Sequence, residues 1–400
     1  MKKTFRRKIF YGLSLFSIGV CLIFFGLAPE IAEKSMNKVT AVDLLATATV
    51  SNPVHAGVSK LHQRLRIADL HADSLLWNRN LLERGGYGHI DLPRLIEGNV
   101  TLQVFTTVTK TPAGINNVRN ETEARDNITI LALAQRWPRN TWRSLTARAL
   151  HQANRLHGFV AGSSQKLMLV KTKRDLTELL KRRDDGEQIV GALLGTEGSH
   201  ALDGDIGQVK TLFDAGFRMM SLQHFFDNRL GASLHGVAKT GLTKFGRQVV
   251  GEIEQLQILL DVSHSSERVV EDVLAIASRP LIVSHTGLYS HCPNARNISD
   301  RLMKKIADEG GLIGMGYWAS AACDTTPSGI AKSIKAAIGV VGEDHVALGS
   351  DFDGAVTTAF DVSQLHLLTQ ALIDEGLSEP SIAKVMGENQ IRFFAKYLPD

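Results

Sequence analysis

The chain has 400 residues, 44% of them hydrophobic, 22% charged and 6% aromatic, a balance that excludes disordered, collagen-like and disulfide-scaffold classes and leaves enough apolar residues for a sizeable core. The formal net charge is +4, but Lys2, Lys3, Arg6, Arg7 and Lys8 supply five positive charges, so residues 9–400 sum to −1 and nothing argues for nucleic acid as a partner.

In chain order, a basic segment (1–8) precedes residues 9–28, twenty positions without a charge and long enough to span a bilayer as a helix. The positive-inside rule puts the N-terminus in the cytoplasm, so this run is expected to be a single-pass transmembrane anchor in the inner (plasma) membrane, with the rest of the chain on the periplasmic side. A cleaved signal peptide is the rival reading, because Gly26-Leu27-Ala28 is a small-residue site, although Pro29 argues against cleavage. Val20 before Cys21 does not fit a lipoprotein. Residues 29–60 read as a polar tether, and 61–400 as the catalytic domain. Cys21 lies in the span, which leaves Cys292 and Cys323 either as one disulfide or as two thiols; with no Cys-x-x-Cys spacing, a thiolate zinc cluster is excluded.

Beyond residue 60 the chain alternates short apolar, β-rich runs with helical patterns, the mark of βαβ units and a parallel sheet. The expected strands are Leu65 to Asp69, Val100 to Thr106, Ile189 to Leu194, Met219 to Gln223, Ile258 to Val262, Leu281 to Val283, Leu312 to Gly316 and Val346 to Gly349. Helical segments fall at Asp126 to Arg136, Asp205 to Asp214, Thr243 to Leu256 and Ser265 to Ala277. Eight strands with intervening helices predict a closed (β/α)8 TIM barrel.

The residues that carry chemistry stand at the strand ends. The first strand runs into His71-Ala72-Asp73, whose spacing of two on an extended chain aims imidazole and carboxylate the same way. The third ends in Glu197, the fourth in His224, the fifth in Ser263-His264, the sixth in Ser284-His285, and the eighth in Asp351-Phe352-Asp353-Gly354. In a barrel all of these share the C-terminal rim. His71, Asp73, Glu197, His264 and His285 are too many ligands for one open tetrahedral zinc and suit two ions with a bridging carboxylate, the equipment of metal-assisted amide hydrolysis. Taken singly each has a plainer reading: a lone strand-end histidine usually bonds within the fold, and Asp-x-Asp-Gly is ordinary turn chemistry. His55, His62, His89, His151, His157, His235, His291, His345 and His366 stay in that structural class, with His200 as a candidate for supporting the ligands.

Taken together these motifs resemble the membrane (renal) dipeptidases of peptidase family M19. Asp69-Leu70-His71-Ala72-Asp73 is similar to the family's Asp-Gly-His-Asn-Asp, and Glu197-Gly198-Ser199-His200 to its Glu-Gly-Gly-His. Asp261-Val262-Ser263-His264, Ser284-His285, Arg296-Asn297 and Gly349-Ser350-Asp351-Phe352-Asp353-Gly354 continue the match in order. The resemblance implies a zinc-dependent dipeptidase in which His71 and Asp73 hold one Zn2+, His264 and His285 the other, and Glu197 bridges. It further implies a bridging hydroxide that attacks the peptide bond, Asp351 as the acid beside it, His224 on the substrate carbonyl and Arg296 near the substrate carboxylate. Animal relatives pair cysteines in similar loops, so Cys292 and Cys323 are expected to form a disulfide; dipeptides are the expected partners, and a homodimer is compatible with the family. The chain departs at Leu70 and Ala72 and from about Arg136 to Lys173, where Trp137 and Trp142 suggest a different outer wall. Two alternatives stay open here: another binuclear amidohydrolase acting on a cyclic amide, lactone or phosphoester, and a non-catalytic membrane-tethered binding protein.

Overall fold

Eight parallel strands close into a barrel in the computed structural model, which describes residues 23–40 and 54–400. They are β1 (Ile67–Ala72), β2 (Val100–Val108), β3 (Val190–Glu197), β4 (Phe217–Ser221), β5 (Leu259–Asp261), β6 (Ile282–Thr286), β7 (Leu312–Met315) and β8 (Val346–Leu348). Every residue in them is buried, as expected of strands with helices outside and a side-chain-filled interior. Neighbours follow chain order, β2 pairs β3 from Leu102↔Gly191 to Val108↔Glu197, and β8 returns to β1 with Leu348 opposite Asp69.

All eight strands read from the sequence are present, with ends shifted by a few residues; β3 runs on to Glu197 itself. A further short strand, Leu167–Leu169, pairs with the first half of β3. The helices begin where side-chain caps supply the acceptors that their first amides lack. Thr243 accepts from Gly246 N ahead of Lys244–Gln255, and Ser266 accepts from Val269 N ahead of Glu267–Leu274. Each then turns an apolar stripe to the barrel, such as Val249, Val250 and Ile253.

The N-terminal expectations divide. Residues 9–22 of the expected anchor lie outside the described residues, and no described helix is long and apolar enough to cross a membrane. The expected tether needs correction: Ala28–Met36 is a helix, Lys38–Val39 is a strand parallel to Thr357–Thr358, and Val54–Arg64 is helical. Residues 28–40 are therefore docked on the barrel, because Glu33 and Asn37 find partners near residues 79 and 355 that the local sequence does not reveal. Cys292 and Cys323, in the loops after β6 and β7, are joined by a disulfide with Cα atoms 5.5 Å apart.

Candidate metal centre and active site

The strand ends on the C-terminal rim deliver the candidate ligands to one point. His71 sits on β1 with Asp73 just beyond it, Glu197 ends β3, His285 lies on β6, and His264 follows β5 by three residues with φ 61°, a left-handed turn that swings its ring inward. Glu197 Oε1 lies 3.4 Å from His71 Nε2, 3.2 Å from His264 Nε2 and 3.3 Å from His285 Nε2. Asp73 Oδ2 is 3.6 Å from His71 Nε2, and all five side chains are buried. At position 198 the chain must turn sharply beside His224, with φ 84°; a Cβ there would also crowd His200 Nδ1, so the position requires glycine.

The hydrogen bonds behind the ligands fix their tautomers. Ser284 Oγ donates to Asp261 Oδ2 at 2.6 Å, so it can only accept from His285 Nδ1 at 2.9 Å and His71 Nδ1 at 3.2 Å. Both rings then carry a proton on Nδ1 and turn Nε2 to the cavity. Arg296 Nη2, which can only donate, lies 3.1 Å from His264 Nε2, so that nitrogen is a lone pair. His264 Nε2 and His285 Nε2 thus face each other at 2.9 Å with no proton between them, an arrangement that favours a cation. Nitrogen–oxygen separations of 3.2–3.6 Å are also the edges of a tetrahedron with metal–ligand bonds of about 2.0–2.2 Å. The residues therefore fit a metal centre, with His71, Asp73, Glu197, His264 and His285 as candidate donors gathered on Glu197. The Arg296 guanidinium carbon also lies 5.2 Å from the ring centre of Trp318.

Electrostatics point the same way. Burial pushes Asp351 well above the usual carboxylate range, with Glu197 and Asp73 adding to the effect, and burial with Glu197 moves Asp73 up to about 6. Against the pull of burial, His224 and His71 hold Glu197 well below its usual range. Burial depresses His264 and His285 strongly. Against the pull of burial, Glu197 and Asp73 raise His71 well above its ordinary value, and carboxylates and imidazoles packed this densely out of water are relieved by bound cations.

The remaining expected residues line the same cavity. His224 Nε2 is 3.4 Å from Glu197 Oε2, and its Nδ1 lies 3.3 Å from Lys110 O. Asp351 Oδ1 lies 3.9 Å from His71 Nε2. Gly354 is required beside it, because a Cβ would collide with Asp351 Oδ1. Arg296 is buried, donates to His285 O at 2.9 Å and forms no ion pair with any described carboxylate; burial lowers it to about 10, which leaves it cationic at neutral pH. His200 is buried but makes no hydrogen bond to a ligand.

Sequence reasoning missed the supports. Asp69 accepts from His71 N and Ser350 N, tying β1 to the Asp351 turn, and Thr106 Oγ1 donates to Asp73 Oδ1 at 2.6 Å. His89 and His235, read as structural, stand close to the site: His89 on Asp353, and His235 with its ring 5.0 Å from that of His264. The repeated Ser-His at 263–264 and 284–285 was the available signal for Ser284. The segment with Trp137 and Trp142 lies behind the end of β2, where Arg148 donates to Thr109 O and Gln152 to Val108 O.

Fold and site together define a metal-dependent hydrolase barrel. Residues 55–397 match the membrane dipeptidase family, peptidase family M19, and the chain belongs to it; it is a metallodipeptidase by family. Dipeptidase tcpJ of Claviceps purpurea (strain 20.1) is 25% identical over 323 residues, 76% of this chain and 68% of that protein. Among solved structures, the probable dipeptidase PvdM from Pseudomonas aeruginosa superposes with a TM-score of 0.72 at 18% identity, covering 87% of this chain and 99% of that one. A metallo peptidase from Rhodobacter sphaeroides, liganded with a phosphinate mimic of the dipeptide L-Ala-D-Ala, gives 0.65 at 23%, covering 84% and 99%. At these identities the structures establish the fold.

Proposed function

We propose that the chain hydrolyses the peptide bond of dipeptides using two zinc ions, with Glu197 common to both. The observation that carries this reading is the convergence of three imidazole Nε2 atoms on Glu197 Oε1 at 3.2–3.4 Å. His71, Asp73, Glu197, His264 and His285 would hold the ions, which would supply Lewis-acid polarisation of the scissile carbonyl and a more acidic attacking water. Asp351, held above the usual carboxylate range by burial, accepts a proton from the attacking water and returns one to the leaving amine. His224 keeps Nδ1–H on Lys110 O and turns Nε2 to the cavity, so it donates to the oxygen that gains charge as the imidazolium, taking up its second proton as that charge develops. Arg296, a buried cation without a carboxylate partner among the described residues, takes the free α-carboxylate of the substrate, which favours free over amidated C-termini.

Elemental analysis joined to a dipeptide assay tests the reading. Two zinc ions per chain and hydrolysis lost on chelation are expected, with Asp351→Asn keeping its metal and losing roughly 10²- to 10⁴-fold in kcat. One ion in fully active protein, or an active Asp351→Asn enzyme, sinks it. We propose in addition that residues 9–28 anchor the chain in the inner membrane with the barrel on the periplasmic side, supported by the basic run just before the apolar one. Release of the protein from washed membranes by salt alone would refute the anchor.

A further inference from the structure

Asp351 is oddly held for a residue that must aim a proton. Among the described residues nothing hydrogen-bonds its carboxylate, so its direction is set by its backbone. That backbone is strained: Asp351, Asp353 and Ala355 have φ of 60°, 63° and 61°, a left-handed conformation that side-chain-bearing residues keep only where their surroundings hold it.

Part of the hold comes from the exit of β1, where Asp73 N donates to Phe352 O at 3.0 Å and Trp77 Nε1 to Asp353 O at 2.6 Å, and part comes from the N-terminus. Asn37 Oδ1 accepts from Ala355 N at 2.8 Å, Lys38 N donates to Val356 O at 3.2 Å, and Thr40 N donates to Thr358 O at 2.9 Å. Asp353 anchors the other side of the turn. It accepts from Ser74 Oγ at 2.5 Å, from His89 N at 2.7 Å and from Arg79, and Arg79 Nε also donates to the buried Glu33 at 2.5 Å. His89 closes the circuit, with Nδ1 on Asp353 N at 3.0 Å and Nε2 on Lys38 O at 3.1 Å.

We infer that residues 33–40 form a strap that positions Asp351, with Asn37 and Arg79 as positioning residues that act through the 353–355 backbone. The inference rests on the reading of Asp351 as the proton carrier. It makes the stretch after the apolar run a working part of the active site, more than 300 residues away in sequence from the turn that it holds.

The test uses the full-length zinc enzyme with Asn37→Ala, Lys38→Pro (which removes the amide donated to Val356), Arg79→Ala and Arg79→Lys, each also made in an Asp351→Asn background. The strap variants should lose roughly 10- to 100-fold in kcat while KM and zinc content stay within about twofold, as expected when a reacting group is misaimed by a fraction of an ångström. Arg79→Lys should recover part of the loss seen in Arg79→Ala. With Asp351→Asn in place, the same substitutions should change the residual kcat by less than about twofold, since the group being aimed is gone. Strap variants with full kcat would overturn the inference, and so would equal losses in both backgrounds, which would mark a merely structural role. An active Asp351→Asn enzyme would instead remove the underlying reading, so the two failures are distinct. If Arg79→Ala does not fold, Asn37→Ala and Lys38→Pro decide the question.

Discussion

The hydroxyl of Ser284 donates to Asp261 at 2.6 Å, and this single bond orients two imidazoles, His71 and His285, that both face Glu197 Oε1. One buried Asp–Ser pair thereby keeps both Nε2 atoms facing the cavity. Groups that orient ligands typically contribute about 10- to 100-fold in metal affinity. Ser284→Ala should therefore weaken retention of both ions together by roughly that factor, with kcat largely restored by excess zinc. Chelator competition followed by elemental analysis checks it; loss of one ion alone would show that the hydroxyl serves only one histidine.

Arg296 yields a prediction about substrate form. Amidating the C-terminus of a dipeptide should raise KM strongly for the native enzyme and little for Arg296→Lys, because the planar guanidinium fork is what matches a carboxylate. Loss of the charge-assisted contact corresponds to about 1.5–3 kcal/mol, or roughly 10- to 150-fold. Steady-state kinetics on a free and amidated pair decide it; equal use of both would remove Arg296 from carboxylate recognition.

Glu33 gives the strap a pH signature. Burial raises its carboxyl from 4.5 to about 7, against the pull of Arg79, because Asp353 holds the same guanidinium and is itself driven well below the usual range by Arg79 and His89 despite its burial. A raised carboxyl binds protons better in the folded state, so its contribution is most favourable below about 4.5 and is lost as pH rises through about 7. The amount at stake is at most about 3 kcal/mol. Glu33→Gln should therefore flatten the fall in stability between pH 5 and pH 8. Thermal melting at both values measures this, and an unchanged pH dependence would place the titration elsewhere.

How much of this was legible depends on range. The eight barrel strands stand out because each is a short apolar run bounded by turn or helix signals, and the ligands stand out because they come directly after those runs. Leu167–Leu169 and Lys38–Val39 escaped notice because two or three residues carry no period. Ser284 and Asp261 appear in the sequence only as members of the motifs that end in His285 and His264, since nothing local says that a serine before a histidine will meet an aspartate from the neighbouring strand. The stretch around Glu33 is polar and reads as linker. Only the closed barrel brings it to Arg79 and Asp353, so its role became visible with the tertiary contacts.

Cys292 and Cys323 carry the last prediction. Their disulfide joins the loops after β6 and β7, and Asn297 Nδ2 reinforces the join by donating to Cys292 O at 2.8 Å and Ala321 O at 3.1 Å. Arg296 is the residue before Asn297, so the guanidinium proposed to take the substrate carboxylate stands on a loop held covalently on one side and by an amide on the other. Closing a separation of 31 residues contributes about 3–4 kcal/mol on the chain-entropy account. A Cys292→Ser/Cys323→Ser variant should melt several degrees lower and show a raised KM for free dipeptides, with zinc content and kcat near native because no metal ligand lies on either loop. Thiol titration of the unfolded, unreduced chain carrying Cys21→Ser should find no free thiol. Two thiols there, or a double variant with native KM, would separate the cysteines from the positioning of Arg296.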